Sequence, residues 1–547
     1  MRFAFWKFEG AKPSRALWIV FAVALTSPFW SLGHPLIEVD DARYAEVPRE
    51  MAETGDWATP QLDYMDYVEK PPMWYWLAAS SYKVFGVSEA AARFPLAALS
   101  VLGMLALAWL GAWLYSPRVG ASAAVIMASS GLYFFLSHYI TPDLPLTVFL
   151  LLTTAMILRC LVRPQDGFWA GPAAWAFAAL ALLTKGLVAL VFPGLWTIAL
   201  LILFPKWRKG FWGLLNPIGP VLFLLIAAPW FLLMEHRHPG FLHFFFVEQH
   251  FQRFLTQKYN RMSPWYFFLL VLPAGLMPWT PAALSALWRR WDDWRAEPRD
   301  AAMALWMLLV VAFFSKSQSK LATYILPVFP QMALLVASAH QRPIAIWSKR
   351  FSWVIGAVLL GVVLAGPSLF PSAFNSLDAT PALLALKPFA FAAVLVLGGG
   401  LAAFGVSQRD SIKRLGLAGL AVGALALGAM SAGADIMSVK SLALSLAGRL
   451  QPGDQIYVYG IYLHGLPFYT QHRVDKVVNW SGELHYAQLD PANADRFGDE
   501  TALSELPFED KKVFIAFRRL DTAFIFSTVG AERKRFAEYG PWALAEF

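Results

Sequence analysis

The chain alternates long apolar runs with short, charged connectors. A run of roughly 17–25 apolar residues is long enough to cross a bilayer as a helix. Such runs lie at about 91–115, 119–139, 142–162, 168–184, 187–204, 213–234, 267–288, 301–316, 321–340, 351–370, 389–406 and 415–436. An earlier run, Ala16 to Trp30, follows Arg2, Lys7, Lys12 and Arg15, and Ser27-Pro28-Phe29-Trp30 makes a poor small-x-small cleavage site. It reads as an uncleaved first helix with its N-terminus in the cytoplasm. Met73 to Phe85 is apolar but too short to span, and it carries Tyr75, Tyr82 and Lys83. An interfacial or re-entrant segment is the expectation there. Charge supports that choice. Leaving 73–85 out places Arg159/Arg163, Lys206/Arg208/Lys209, Arg289/Arg290/Arg295, Arg342/Lys349/Arg350 and Arg409/Lys413/Arg414 in the cytoplasm, and counting it as a span puts every cluster outside.

The pattern therefore predicts an all-α polytopic membrane domain over 1–436, with about 13 transmembrane helices. Three extracytoplasmic pieces remain: loops at about 33–90 and 235–266, and everything after about 437. Residues 437–547 read as a small C-terminal α/β periplasmic domain. Gln455–Tyr459, Lys476–Trp480 and Lys512–Phe517 have the look of strands, and Ser441–Leu450 and Ala531–Tyr539 of helices. The Gly398–Gly400 run and the Ala/Gly-rich stretch 415–436 suit close helix packing.

Composition agrees with lipid as the solvent. The chain is 58% hydrophobic and 15% charged, against roughly 45–50% and 25% in soluble proteins. A net charge of +8 does not point to nucleic acid, because the basic residues recur as small clusters between apolar runs. The single cysteine, Cys160, lies inside an apolar run, so neither an intramolecular disulfide nor a Cys-based zinc site is available. A transporter would show internal repeats and helices broken near the midplane. Here the charges gather at one surface.

Candidate chemistry concentrates in the first loop. Asp40 and Asp41 stand together after the first membrane helix, followed by Arg43, Tyr44, Glu46 and Glu50. Helical periodicity from about Ala42 to Thr54 predicts an amphipathic element along the membrane surface. Paired acids suit a displacement at a sugar carbon, one handling the nucleophile and others holding hydroxyls. The plain alternative is that one of them caps the helix. Asp143 follows Ile140-Thr141-Pro142 at the outer end of another helix, on the same predicted side. An ionisable residue at membrane depth is a functional candidate, although a helix-start role is open too.

Lysines supply the opposite charge. Lys70 stands in Tyr67-Val68-Glu69-Lys70-Pro71-Pro72, Lys185 joins two apolar helices, and Lys316 and Lys320 precede Leu321-Ala322-Thr323-Tyr324. All are predicted extracytoplasmic, where the positive-inside rule gives no reason for them. A departing lipid phosphate would need such cations, whereas snorkelling to headgroups would explain each singly. The second loop carries His236, His238, His243, Glu248, His250 and Arg253. Its histidines have zinc-ligand chemistry without a strong spacing motif.

With these residues in view, the chain resembles the membrane glycosyltransferases that use polyprenyl-phosphate sugars. Among them it resembles most the lipid A 4-amino-4-deoxy-L-arabinose transferases, relatives of the protein O-mannosyltransferases. Asp40–Glu46, Gly55-Asp56-Trp57, Glu69-Lys70-Pro71-Pro72, Thr141-Pro142-Asp143, Lys185-Gly186 and Ser315–Pro327 carry the likeness. It implies an undecaprenyl-phosphate-linked sugar donor, inverting displacement at the sugar's C1, lipid A phosphate as acceptor, and a cationic, polymyxin-resistant lipid A. It also implies a multi-pass enzyme of the bacterial inner membrane whose site faces the periplasm. Residues and resemblance together assign Asp40, Asp143 and Lys70 to catalysis. They assign Asp41, Arg43, Tyr44, Tyr67, Lys185, Arg253, Lys320 and Tyr324 to substrate binding. Glu69 and His250 are the expected ligands of a divalent metal, zinc or magnesium. A monomer without nucleic acid is expected, in contact only with lipids and substrates. A protein O-mannosyltransferase-like activity is the main alternative, and a transporter a weaker one.

Overall fold

The computed structural model describes residues 12–252, 263–290, 298–340, 346–369, 381–406, 410–480, 482–506, 512–529 and 535–547. The N-terminal part is helical. It includes α1 (Arg15–Thr26), α2 (Asp40–Thr54), α3 (Met73–Phe85) and α4 (Glu89–Leu114). Among the described residues eight helices are long and apolar enough to cross a membrane, and two pairs bent by 115° bring the number to ten. The chain is a multi-pass membrane protein. At 13 residues α3 is about 20 Å long, too short to span.

Three of the apolar runs break where side chains or proline interrupt the backbone ladder. The 119–139 run becomes Pro117–Ala128 and Gly131–Leu136. Between them the Ser129 and Ser130 hydroxyls donate back to the Val125 and Ile126 carbonyls at 2.6 and 2.7 Å, a local alternative to the helix. The 267–288 run bends between Phe267–Leu276 and Thr280–Trp288, around Pro278, which has no N–H to give. Val188–Leu203 likewise turns sharply before Pro205. Glycine permits close crossing, since a Cβ at Gly419 would stand 2.4 Å from the Ser129 carbonyl oxygen.

In the first loop a short hairpin, β1 (Gln61–Leu62) and β2 (Met65–Asp66), turns through Asp63 and Tyr64, both with φ of 58°. Both central residues of a type I′ turn need that left-handed backbone, which a tyrosine seldom adopts. The turn is held from α2: Glu50 accepts both turn amides, Asp63 N–H at 2.7 Å and Tyr64 N–H at 2.7 Å.

Beyond Met437 the chain builds a mixed six-stranded sheet. Its strands are β3 (Gln455–Tyr459), β4 (Lys476–Val478), β5 (Phe497–Gly498), β6 (Val513–Arg518), β7 (Arg535–Tyr539) and β8 (Trp542–Glu546), in the order β5-β4-β3-β6-β8-β7. β3 runs parallel to β4 and β6, while β8 is antiparallel to β6 and β7. The two-residue period sorts the side chains. Ile456, Val458, Phe514, Ala516 and Leu544 join the core shared with the helices, while Tyr457, Ile515, Phe517, Ala543 and Ala545 pack with Ile525 and Val529. Of the helix expected over Ala531–Tyr539, residues 531–534 lie outside the described residues, and Arg535–Tyr539 is instead the edge strand β7, because Gly540 (φ 59°) and Pro541 turn the chain back into β8. The Ser441–Leu450 helix runs from Lys440 to Ala447.

This C-terminal segment lies on the first loop. Glu38 accepts from the His464 and Gly465 N–H groups at 3.0 and 2.7 Å, and Leu36 N–H donates to Tyr469 Oη at 2.8 Å. Arg496 Nη2 meets Asp63 Oδ2 at 2.6 Å, and Val474 N–H donates to Asp63 Oδ1 at 2.8 Å. The covering changes the reading of α2. Every residue from Asp41 to Ala52 is buried, so α2 is an enclosed helix and not an amphipathic one lying on a membrane surface.

Candidate active site

A cavity of about 670 Å³ opens where α2, the segment after the hairpin, and several membrane helix ends converge. Helix α2 supplies Asp40, Arg43 and Tyr44, and the turn between β2 and Pro71 supplies Tyr67, Glu69 and Lys70. Thr141 and Asp143 come from the start of helix Asp143–Val162, and Lys185 from the end of helix Gly167–Lys185. The rest of the lining is mostly apolar, with Leu187, Val188, Val191, Phe245, Phe313 and Phe314. A volume of this size, mostly apolar with a few convergent polar groups, suits a ligand.

Neither acid is the N-cap of its helix. Those positions are Val39 and Pro142, without side-chain capping bonds. Asp40 pairs with Arg43, whose guanidinium also lies 5.2 and 6.0 Å from the Tyr44 and Tyr67 ring centroids. Asp143 pairs with Lys185, whose ammonium stands 4.3 Å from the Tyr324 ring centroid. Lys70 donates to the Glu69 carbonyl at 3.2 Å, and Pro71 and Pro72 after it stiffen the backbone. Burial pushes the Tyr44 and Tyr67 phenols well above their usual range, so both remain protonated donors. Tyr67 Oη, Thr141 Oγ1 and Ser319 Oγ are buried without a hydrogen-bond partner among the described residues. Buried hydroxyls are rarely left so. A polar ligand in this cavity would satisfy them.

The sequence matches the family described as dolichyl-phosphate-mannose-protein mannosyltransferase over residues 69–233. The undecaprenyl phosphate-alpha-4-amino-4-deoxy-L-arabinose arabinosyl transferase 1 of Sodalis glossinidius (strain morsitans) is 32% identical over 407 residues, 71% of this chain and 70% of the relative. The chain belongs to that transferase family. The alignment with the Aeromonas salmonicida (strain A449) member, 32% identical, spans 56% of either chain, so only about half of that relative's length is matched. The fold extends further. The crystal structure of ArnT from Cupriavidus metallidurans bound to undecaprenyl phosphate superposes with a TM-score of 0.84 at 25% identity, covering 97% of this chain and 98% of that one.

Against this transferase fold, the sequence-assigned residues divide. Asp40, Arg43, Tyr44, Tyr67, Glu69, Lys70, Asp143, Lys185 and Tyr324 all line the cavity. Asp41 does not. Its carboxylate is fully buried, pairs with Arg93 at 2.5 Å, and accepts from Ile140 N–H at 2.8 Å and Ile37 N–H at 3.0 Å. That ties α2 to α4 and to the strand of chain before Asp143. Lys320 also turns away, donating to the Ser263 and Ser317 carbonyls at 2.9 and 2.5 Å. Arg253 lies outside the described residues, as does the side chain of His250. Among the described residues no three His, Cys, Asp or Glu side chains are grouped to hold a metal. Glu69 alone does not complete such a site.

Several lining residues went unnoticed in the sequence. Thr141 and Ser319 are neighbours of residues that drew attention and could have been included on that ground. Phe245 and Gln249 are brought in by a π-helical stretch, Phe244–Gln252, whose wider turn no periodicity announces. Gly482 reaches the cavity from the C-terminal segment, and nothing local to it signals that placement.

Proposed function

We propose that this chain is an inverting glycosyltransferase that moves 4-amino-4-deoxy-L-arabinose from undecaprenyl phosphate to lipid A phosphate groups. The observation that carries the reading is one cavity lined by both acids and cations and by apolar side chains, in a chain of the aminoarabinosyl transferase family. An acceptor phosphate oxygen attacks the sugar's C1 from the face opposite the donor phosphate. The new C1–O bond forms as the old one breaks, and undecaprenyl phosphate leaves with the electron pair. A phosphate acceptor is already ionised near neutral pH, so it needs no strong base. Asp40 and Asp143, each next to a cation, orient sugar hydroxyls. Lys70, Arg43 and Lys185 offset the charge of two phosphates brought together. The apolar lining takes the first isoprene units of the donor.

In this reading 13 helices span the inner membrane. Among the described residues eight to ten are long and apolar enough, and Arg15–Phe29 and Pro117–Ala128 are shorter apolar helices. The six-stranded C-terminal part is a periplasmic domain, the cavity opens to the periplasm, and the protein works as a monomer. A metal held by Glu69 and His250 carries no step here, and elemental analysis of the purified protein with a chelator control tests for it.

The experiment is mass spectrometry of lipid A from cells with and without the protein. An added aminopentose on lipid A phosphate, only when the protein is present, is the expected result. Unchanged lipid A together with newly glycosylated periplasmic proteins would move the assignment to protein O-glycosylation.

A further inference from the structure

A second cavity, of about 80 Å³, is lined by Ser14, Arg118, Ser122, His340, Ser411 and Lys413 among others. It lies at the end of the helical bundle opposite the active-site cavity. Tyr324 lines the active-site cavity, and helix Phe329–Ala339 carries the chain from there to His340. Ser14 likewise precedes α1, whose far end leads into the first loop and α2.

Four helix ends meet at this cavity, and three of them are N-termini. Ser14 is the N-cap of α1, Arg118 stands in the first turn of helix Pro117–Ala128, and Ser411 opens helix Ser411–Ala432. The first N–H groups of a helix find no carbonyl within it, and each N-terminus carries roughly half a positive charge. Helix Phe329–Ala339 presents its C-terminus, at His340, whose Nε2 lies 3.1 Å from Ser411 Oγ. Side chains add to the field. Arg118 and Lys413 are cations, and Asp410, which pairs with Lys413 at 2.6 Å, is the one carboxylate among the described residues of the lining. Both contributions are net positive. Ser122, only 2% exposed, also lines the cavity, and its hydroxyl makes no hydrogen bond among the described residues.

Size and surroundings narrow the ligand. One water needs roughly 10–15 Å³ of such space, so a phosphate-sized group fits. One turn beyond Ser14, α1 exposes Trp18 and Ile19, as a lipid-facing helix does. Basic pockets between membrane helices suit anionic headgroups. We propose that this cavity binds the phosphate of an anionic phospholipid from the leaflet opposite the active site. The phosphate oxygens accept from Arg118, the Ser122 hydroxyl and the open N–H groups of the helix starts. The bound lipid thereby clamps three helices that are far apart in sequence.

The test uses full-length protein, purified and delipidated in a neutral detergent. Binding by native mass spectrometry and melting temperature are measured with phosphatidylglycerol, phosphatidylcholine or inorganic phosphate. Wild type should bind phosphatidylglycerol best and melt a few degrees higher with it. Arg118→Gln should weaken that binding by about 10–100-fold, the range for losing a charge-assisted hydrogen bond. Arg118→Lys should keep part of it, and Ser122→Ala should lose less. Without lipid the Arg118 variants should melt like wild type, since the side chain is exposed, which separates binding from folding. Lipids held nonspecifically around the bundle are common to all variants and cancel in the comparison. Equal phosphatidylglycerol affinity in wild type and Arg118→Gln overturns the proposal, as does equal affinity of wild type for the two lipids. A response to inorganic phosphate alone, lost in Arg118→Gln, would make this a site for a soluble phosphate and overturn the lipid assignment.

Discussion

Helix α2 serves two clusters of charge that differ in one respect. Its N-terminal turn gives Asp40, Arg43 and Tyr44 to the cavity, and its later turns give Glu46, Arg49 and Glu50 to a latch beneath the C-terminal sheet. In the latch every carboxylate oxygen is occupied. Glu46 takes Arg49 through both oxygens at 2.7 and 2.5 Å, Glu50 takes two backbone amides, and Asp63 takes Arg496 and Val474 N–H. In the cavity three hydroxyls are unmatched among the described residues. Burial and charge alone do not separate the two clusters. Their partners do: in the latch each carboxylate is fully matched and holds the fold, although Arg496 Nε lacks a partner among the described residues, whereas the unmatched groups of the cavity await a ligand.

Adjacent acids offer the sharpest test of that distinction. Asp40→Asn should abolish transfer, by at least about 100-fold, with normal amounts of protein in the membrane and a melting temperature near wild type. Asp41→Asn should do the reverse, because it leaves fully buried Arg93 without its counter-charge, a loss of about 3–5 kcal/mol. Activity assays and thermal unfolding on both variants read the two effects separately. If Asp40→Asn unfolds the protein and Asp41→Asn only slows it, the comparison is wrong.

Lys70 comes next in size. Removing a preorganised cation facing a leaving phosphate costs roughly 100–1,000-fold in turnover, so Lys70→Ala should fall in that range, and Lys70→Arg should recover part of it. Near-normal turnover in Lys70→Ala would transfer the phosphate-binding role to Lys185 or Arg253.

Much of this was legible in the sequence, for physical reasons. Hydrophobic run length locates membrane helices because lipid leaves no other backbone arrangement, and Asp40, Lys70 and Asp143 stood out because nothing in lipid explains them. What stayed hidden depended on distant partners. Asp41 and Asp40 look alike until Arg93, 52 positions on, is seen to hold only one of them. α2 reads as a surface helix until the sheet beyond residue 455 covers it. The strand Arg535–Tyr539 carries a helix-like composition and is fixed only by its pairing with Trp542–Glu546.

Within the latch, Glu50 tests the hairpin. Glu50→Gln keeps the shape but can accept through one oxygen only, so one of the Asp63 and Tyr64 amides faces an NH2 group. A stability loss of about 1–3 kcal/mol is expected, with cavity chemistry preserved. Protease cutting near Tyr64 should speed up, and an unchanged cutting rate would show that the turn holds without Glu50.

The smallest effect is a pH drift set by Asp63. Burial pushes its carboxyl up to about 7, while Arg496 and the Val474 N–H pull the other way. In the unfolded chain the group titrates near 3.8. Between those values the folded protein keeps a proton that the unfolded chain has released. Linkage then makes this group's contribution to stability grow as pH falls from about 7 toward 4, and fade as pH rises through 7. Asparagine cannot titrate, so Asp63→Asn removes the drift. Its absolute stability should drop, since Arg496 loses its counter-charge, but the slope is the quantity of interest. Melting temperatures in detergent at pH 8 and pH 5.5 would show it: wild type should gain a few degrees relative to Asp63→Asn on acidification. No relative change between pH 8 and pH 5.5 would mean that Arg496 keeps the carboxylate ionised throughout. The latch would then be a plain buried ion pair, indifferent to protons over this range.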